Sequence, residues 1–96
     1  MYASIRKYRD VHSPAETAHR VEQSFVPVLQ GLPGFKGYYL VDTEDGIITI
    51  SLFESREAAL ASAEKAAAWV RENMVERHGG APPEIAAGEV RVAVSG

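Results

Sequence analysis

The sequence predicts an α+β fold with the element order βαββαβ, an antiparallel sheet carrying two helices on one face. Three observations predict it. Stretches rich in β-branched and aromatic residues alternate with two stretches whose apolar residues recur at helical spacing. Turn-forming pairs, Pro33-Gly34, Asp45-Gly46 and Gly79-Gly80, punctuate the boundaries. The chain is 96 residues long, so residues 1–96 are read as a single domain.

Tyr2 to Tyr8 alternates Tyr and Ile with polar positions and reads as the first strand. Ser13-Pro14-Ala15-Glu16 reads as a helix start. Ser13 caps, Pro14 takes the first helical position and Glu16 closes a capping box. Ala18, Val21, Phe25, Val28, Leu29 and Leu32 then form one helical face. Pro27 lies inside this run. It has no N–H for the carbonyl of Gln23 and its ring crowds that carbonyl, so the helix is expected to bend or break near Val26. Pro33-Gly34 ends it.

Phe35 to Val41 reads as the second strand and Ile47 to Glu54 as the third. Thr43-Glu44-Asp45-Gly46 joins them, with Asp45-Gly46 expected to supply the positive φ of a tight hairpin. Ile48, Ile50 and Leu52 point to one face, and Ile47, Thr49, Ser51 and Phe53 to the other. Ser55 caps a long alanine-rich helix from Arg56 to Arg77. Its buried stripe is read as Ala59, Ala63, Ala66, Val70 and Met74, with Trp69 at the edge, about 100° from the centre of the stripe. His78-Gly79-Gly80 stops the helix and Ala81-Pro82-Pro83 is a stiff loop. Ile85 to Val94 is the last strand, with Val90, Val92 and Val94 on one face.

This order is the split βαβ, or ferredoxin-like, arrangement. Right-handed crossovers put both helices on one side of the sheet. The other side is too apolar to face water, so the chain is expected to form a homodimer through the helix-free sheet face.

Composition removes several function classes. The net charge is −3 and Lys and Arg do not cluster, which argues against a nucleic-acid partner. No apolar run approaches the roughly 18 residues that span a bilayer, so no membrane partner is expected. With charges early in the chain and no secretory stretch, the expected location is cytoplasmic. There is no cysteine, hence no disulfide and no thiolate ligand. His12, His19 and His78 are dispersed, so no metal site is expected, and no cofactor is implied. No phosphate-cradling glycine loop or nucleophile elbow occurs.

The candidate pocket residues are Trp69, Asn73, Tyr38 and Tyr39. Trp69 offers a flat wall to an aromatic ligand, or simply covers the sheet edge. Asn73, four residues on, shares its face and offers a donor, or is solvated near the helix end. Tyr38 and Tyr39 are adjacent in a strand, so at most one lines a given cavity. Arg6, Lys7 and Arg91 are charges inside strands. They read as cross-strand or inter-subunit partners of Glu54 and Glu89, with an anion- or enolate-binding role as the other reading.

The element order, the Pro33-Gly34-Phe35-Lys36-Gly37-Tyr38 approach to the second strand and the Leu52-Phe53-Glu54-Ser55 exit from the third resemble the antibiotic-biosynthesis-monooxygenase-like family of dimeric α+β barrels. The likeness covers nearly the whole chain. It implies a small-molecule-binding protein, with cofactor-independent oxygenation of phenolic or polyketide-like substrates as one activity and a non-catalytic binding or accessory role as another. In the first case Trp69 is the wall, and Asn73 with Tyr38 or Tyr39 the donors. A small aromatic ligand is then the expected partner besides a second copy. Haem degradation, a third activity of such barrels, is disfavoured. Tyr2 to Tyr8 contains no Asn, and Trp69 lies two turns past the place near Ser62 where those members carry a Trp.

Overall fold

A computed structural model describes residues 1–9, 14–73 and 83–96. The Ser13 cap, His12, Met74, His78 and the stop at Gly79-Gly80 lie outside them, as do the side chains of Val70 and Asn73.

The chain runs β1 (Tyr2–Arg9), α1 (Pro14–Arg20), a π-helical turn (Val21–Phe25), α2 (Val26–Gln30), β2 (Phe35–Thr43), β3 (Gly46–Phe53), α3 (Arg56–Asn73) and β4 (Glu84–Glu89). The sheet order is β2-β3-β1-β4, and every neighbouring pair is antiparallel. Antiparallel partners share a face. Tyr2, Ser4, Arg6 and Tyr8 therefore align with Phe53, Ser51, Thr49 and Ile47, while Ala3, Ile5 and Lys7 align with Leu52, Ile50 and Ile48 on the opposite side.

The first helix is interrupted one turn ahead of Pro27. The Val26 N–H bonds the carbonyl of Val21, five residues back, and the Ser24 hydroxyl donates to the carbonyl of Arg20 at 2.8 Å. The wider turn changes which residues share a face. Thr17, Val21, Phe25 and Leu29, spaced by four, are buried, whereas Val28 turns outward to 42% exposure. The expected face is corrected accordingly.

The buried stripe of α3 also differs from the expected one. Ala59 and Ser62 are buried, and Ala66 and Trp69 pack on the core, at spacings of three and four. Trp69 is thus part of the stripe, and Ser62 joins it by donating its hydroxyl to the carbonyl of Ala59 at 2.7 Å, so burial leaves no unpaired group. Ser55 caps the helix: its hydroxyl accepts the Ala58 N–H at 3.2 Å.

Two glycines matter for reasons of space and angle. Gly34 takes φ 79°, and its carbonyl accepts the Glu54 N–H at 2.7 Å, tying the start of β2 to the end of β3. Gly46 does not have the positive φ expected of the hairpin. It opens β3 directly opposite Thr43 and Arg9, and a Cβ there would collide with the carbonyl of Tyr8. The glycine serves close strand approach.

The last strand is shorter than expected. β4 pairs with β1 from Glu84 to Glu89, and the Val90 N–H bonds the Met1 carbonyl at 2.9 Å as the last rung the two share. Val92 and Val94 continue past it, 81% and 89% exposed. The core lies between sheet and helices, centred on Phe53, which is 0% exposed, with Val21, Phe25, Leu29 and Ala59.

Candidate functional site

A cavity of about 20 Å³ lies between the sheet and the helices. Its floor is the helix-facing row of β1 and β3: Arg6, Tyr8, Ile47, Thr49 and Ser51. Val21 and Phe25 of the π-helical turn, Ala66 and Trp69 of α3, and Tyr38 of β2 complete the wall. It holds about one water molecule or one ligand oxygen. Outside it, a groove of about 300 Å³ runs between the first helix and β2, past Ala18, Glu22, Val26 and Leu40. That size falls at the lower end of small-molecule sites. Val21 and Tyr38 line both spaces, so they form the partition between them.

A β-bulge decides which tyrosine reaches the cavity. Phe35 pairs with Phe53, but Gly37 pairs with Leu52, so Lys36 is an extra residue in β2. Beyond the bulge Tyr38 shares the helix-facing side with Phe35. Tyr39 points to the helix-free side, 60% exposed. Trp69 and Tyr38 thus come together, Tyr39 stands on the other face, and the Asn73 side chain lies outside the described residues.

Aromatic rings hold the wall. Phe25 packs edge-on to Tyr38 with centroids 5.8 Å apart, and Trp69 tilts against Phe25 at 5.4 Å. The Trp69 indole N–H donates to the Ser24 hydroxyl at 3.1 Å. Because Ser24 in turn donates to the Arg20 carbonyl, the π-helical turn latches Trp69 in place.

Among the described residues the floor is largely polar and carries one charge, Arg6. The Arg6 guanidinium donates to the Tyr8 phenol, and the Thr49 and Tyr38 hydroxyls are hydrogen-bonded. Burial pushes the Tyr8 phenol above its ordinary value, and the positive charge of Arg6 offsets only part of that. Tyr38 is pushed higher, again by burial, with proximity to Tyr8 adding to it. Both phenols are therefore protonated donors at neutral pH.

Arg6 departs from the pairing expected of it. The ion pairs among the described residues join Arg9 to Glu84 at 3.1 Å and the N-terminal ammonium to Glu89 at 3.3 Å; none involves Arg6. Its ladder partners are Thr49 and Ile85, which have no charge to offer. Period-two alternation along Tyr2–Arg9 already places Arg6 on the side of the buried Tyr8, which is the signal that could have marked it. Among the described residues no group of His and carboxylates is arranged to hold a metal ion.

By sequence, the chain matches no family profile and no curated protein. Solved structures match it in shape. A monooxygenase from the gene ActVA-Orf6 of Streptomyces coelicolor, in complex with nanaomycin D, superposes with TM-score 0.75 at 18% identity, over 99% of this chain and 91% of that one. SnoaB, a cofactor-independent oxygenase from Streptomyces nogalater, gives 0.69 at 15% identity over 97% and 95%. The heme degrader MhuD from Mycobacterium tuberculosis, with two hemes in its active site, gives 0.64 at 22% over 99% and 100%. At such identities the likeness is one of fold: the chain has the antibiotic-biosynthesis-monooxygenase-like α+β fold, a four-stranded antiparallel sheet with its helices on one face.

Proposed function

We propose that this protein binds a planar phenolic or polyketide-like molecule at the Trp69–Tyr38 cavity and acts on it as a cofactor-independent monooxygenase. The observation that carries the reading is the cavity itself: aromatic walls from Phe25, Trp69 and Tyr38 above a floor of hydroxyls and one guanidinium. The ring system occupies the outer groove, and its oxygenated end passes Tyr38 into the inner space. In such chemistry the substrate is the reductant. Its carbanion gives an electron to O₂, the radicals combine to a peroxide, and loss of water leaves the carbonyl product, so one oxygen atom enters the substrate and the other leaves as water. The chain supplies orientation, exclusion of water and donors to the developing oxyanion. Tyr8, Tyr38 and Thr49 are the donors of this reading; Tyr39 faces the other side of the sheet, and the Asn73 side chain lies outside the described residues.

A non-catalytic binding domain is the second reading. It is favoured by one observation: both cavity phenols are shifted away from neutrality, so neither acts as a base. Haem degradation stays disfavoured, because β1 has no Asn and no described histidine lines the cavity. A homodimer through the helix-free sheet face, and a cytoplasmic location, belong to the same proposal. Ile5, Tyr39 and Val41 are exposed on that face beside half-buried Ile48, Ile50 and Leu52, which supports a partner sheet there.

The test is oxygen uptake with anthrones and naphthols in metal-free buffer, alongside Trp69 fluorescence titration. Saturable quenching with oxygen uptake supports the oxygenase. Saturable quenching without uptake leaves the binding domain. A flat titration, the same in Trp69→Phe, removes the site.

A further inference from the structure

We infer that Arg6 makes the cavity selective for ligands that arrive already ionised, planar aromatics bearing an anionic oxygen. The inference rests on the cavity being the ligand site and adds the charge state of what enters it. Among the described residues lining the cavity, Arg6 alone is charged at neutral pH. It is half-buried on the helix-facing row of a central strand, and no carboxylate among the described residues pairs with it. Its partner within the cavity is the Tyr8 phenol, a neutral group.

A half-buried guanidinium lining the same space as Phe25, Trp69, Ile47 and Val21 is less screened than one in bulk water, so it attracts an anion more strongly than an exposed arginine does. It carries five N–H donors in a planar fork, more than one phenol oxygen can satisfy. An anionic oxygen entering the inner space meets that fork together with the Tyr8 and Tyr38 hydroxyls. The same arrangement explains how a site without a base can serve carbanion chemistry. An acidic phenol loses its proton to bulk water before binding, and the charge delocalised into its ring is the electron-rich carbon that the reaction needs. Two sources supply such an anionic oxygen, an acidic phenol or enol and an aryl carboxylate; the first also supplies the electron-rich carbon.

The experiment is calorimetric titration of the wild-type protein and the Arg6→Gln and Arg6→Lys variants with two ligand pairs at neutral pH. One pair is lawsone, ionised under these conditions, and its neutral methyl ether; the other is naphthoate and its methyl ester. A charge-assisted hydrogen bond corresponds to about tenfold to hundredfold in affinity, so the wild type should favour the anion of at least one pair by that ratio. Arg6→Gln should bring the ratio close to one, and Arg6→Lys should keep most of it. The pair that shows the preference identifies phenolate or carboxylate. Equal binding within both pairs by the wild type overturns the inference while leaving the ligand site in place, and so does a preference that survives in Arg6→Gln. Binding of none of the four probes overturns both. If Arg6→Gln does not fold, as read by circular dichroism, the wild-type ratios alone decide.

Discussion

Tyr8 and Tyr38 link burial to a measurable titration. Burial raises both above the ordinary phenol value of 10.0. A raised folded value means that the unfolded chain releases these protons first as pH climbs. Their contribution to stability is therefore complete below about pH 10 and is lost as pH rises through the folded values. Followed by phenolate absorbance, alkaline titration should show these two of the four tyrosines ionising only as the protein unfolds, with Tyr8→Phe and Tyr38→Phe each removing part of that late signal. Ionisation of all four in one reversible step of the folded protein would contradict it. Thr17 supplies a second residue-scale prediction. Its hydroxyl is fully buried and has no partner among the described residues. Thr17→Val keeps the shape and removes the orphaned group, so it should stabilise the fold by about 1 kcal/mol, read as a higher urea midpoint with an unchanged m-value. A lower midpoint would mean that the hydroxyl has a use. Both groups show the limit of reading the chain alone: the residue types are visible, but their burial depends on what packs above them.

At the scale of elements, most boundaries were legible and the phases were not. Pro33-Gly34 marked the way into β2 and Ser55 the cap of α3, while Ser13 and Gly79-Gly80 lie outside the described residues. The turn ahead of Pro27 then shifted the first helix by a fraction of a turn, which left Val28 exposed, while Thr17, four residues before Val21, lies on the buried face. In α3 the many alanines leave the stripe undecided by hydrophobicity alone. Ser62 and Trp69, one polar and one large, settle it by finding hydrogen-bond partners within the fold. Ala66→Leu should consequently fill the cavity and abolish ligand-induced Trp69 quenching while costing about 1–3 kcal/mol from overpacking. Ala61→Leu, on the exposed side, should stay within about 0.5 kcal/mol and leave quenching unchanged. Thermal melts and the fluorescence titration together check the pair; equal behaviour would place the stripe elsewhere.

For the whole molecule, the topology followed from the order of elements and the handedness of crossovers, and the sheet order β2-β3-β1-β4 agrees with it. What the sequence could not assign was the division of labour between the two faces, because both carry apolar residues. The helices cover Phe53 and Ile47 and leave Ile5, Tyr39 and Val41 exposed at 39%, 60% and 45%. A stable homodimer there buries about 800 Å² per partner. Sedimentation at micromolar concentration should give a dimer, and Val41→Glu, which sets a charge into that face, should shift it toward monomer. A wild-type monomer would require another explanation for the exposed face.

The bulge at Lys36 also gives β2 an uneven tolerance to changes of length. Removing Lys36 would restore plain alternation, with Phe35 still on the helix side, Gly37 still opposite Leu52 and Tyr38 still in the cavity wall. Losing one residue from the regular stretch between Tyr39 and the hairpin is different, because the register beyond it is pinned by the pairing of Thr43 with Gly46. Such a deletion would drive Tyr38 outward and bring Gly37 inward. The strand therefore contains one position where a deletion is silent, beside a stretch where the same deletion moves a phenol from the ligand's side of the sheet to the side where a second copy would pack.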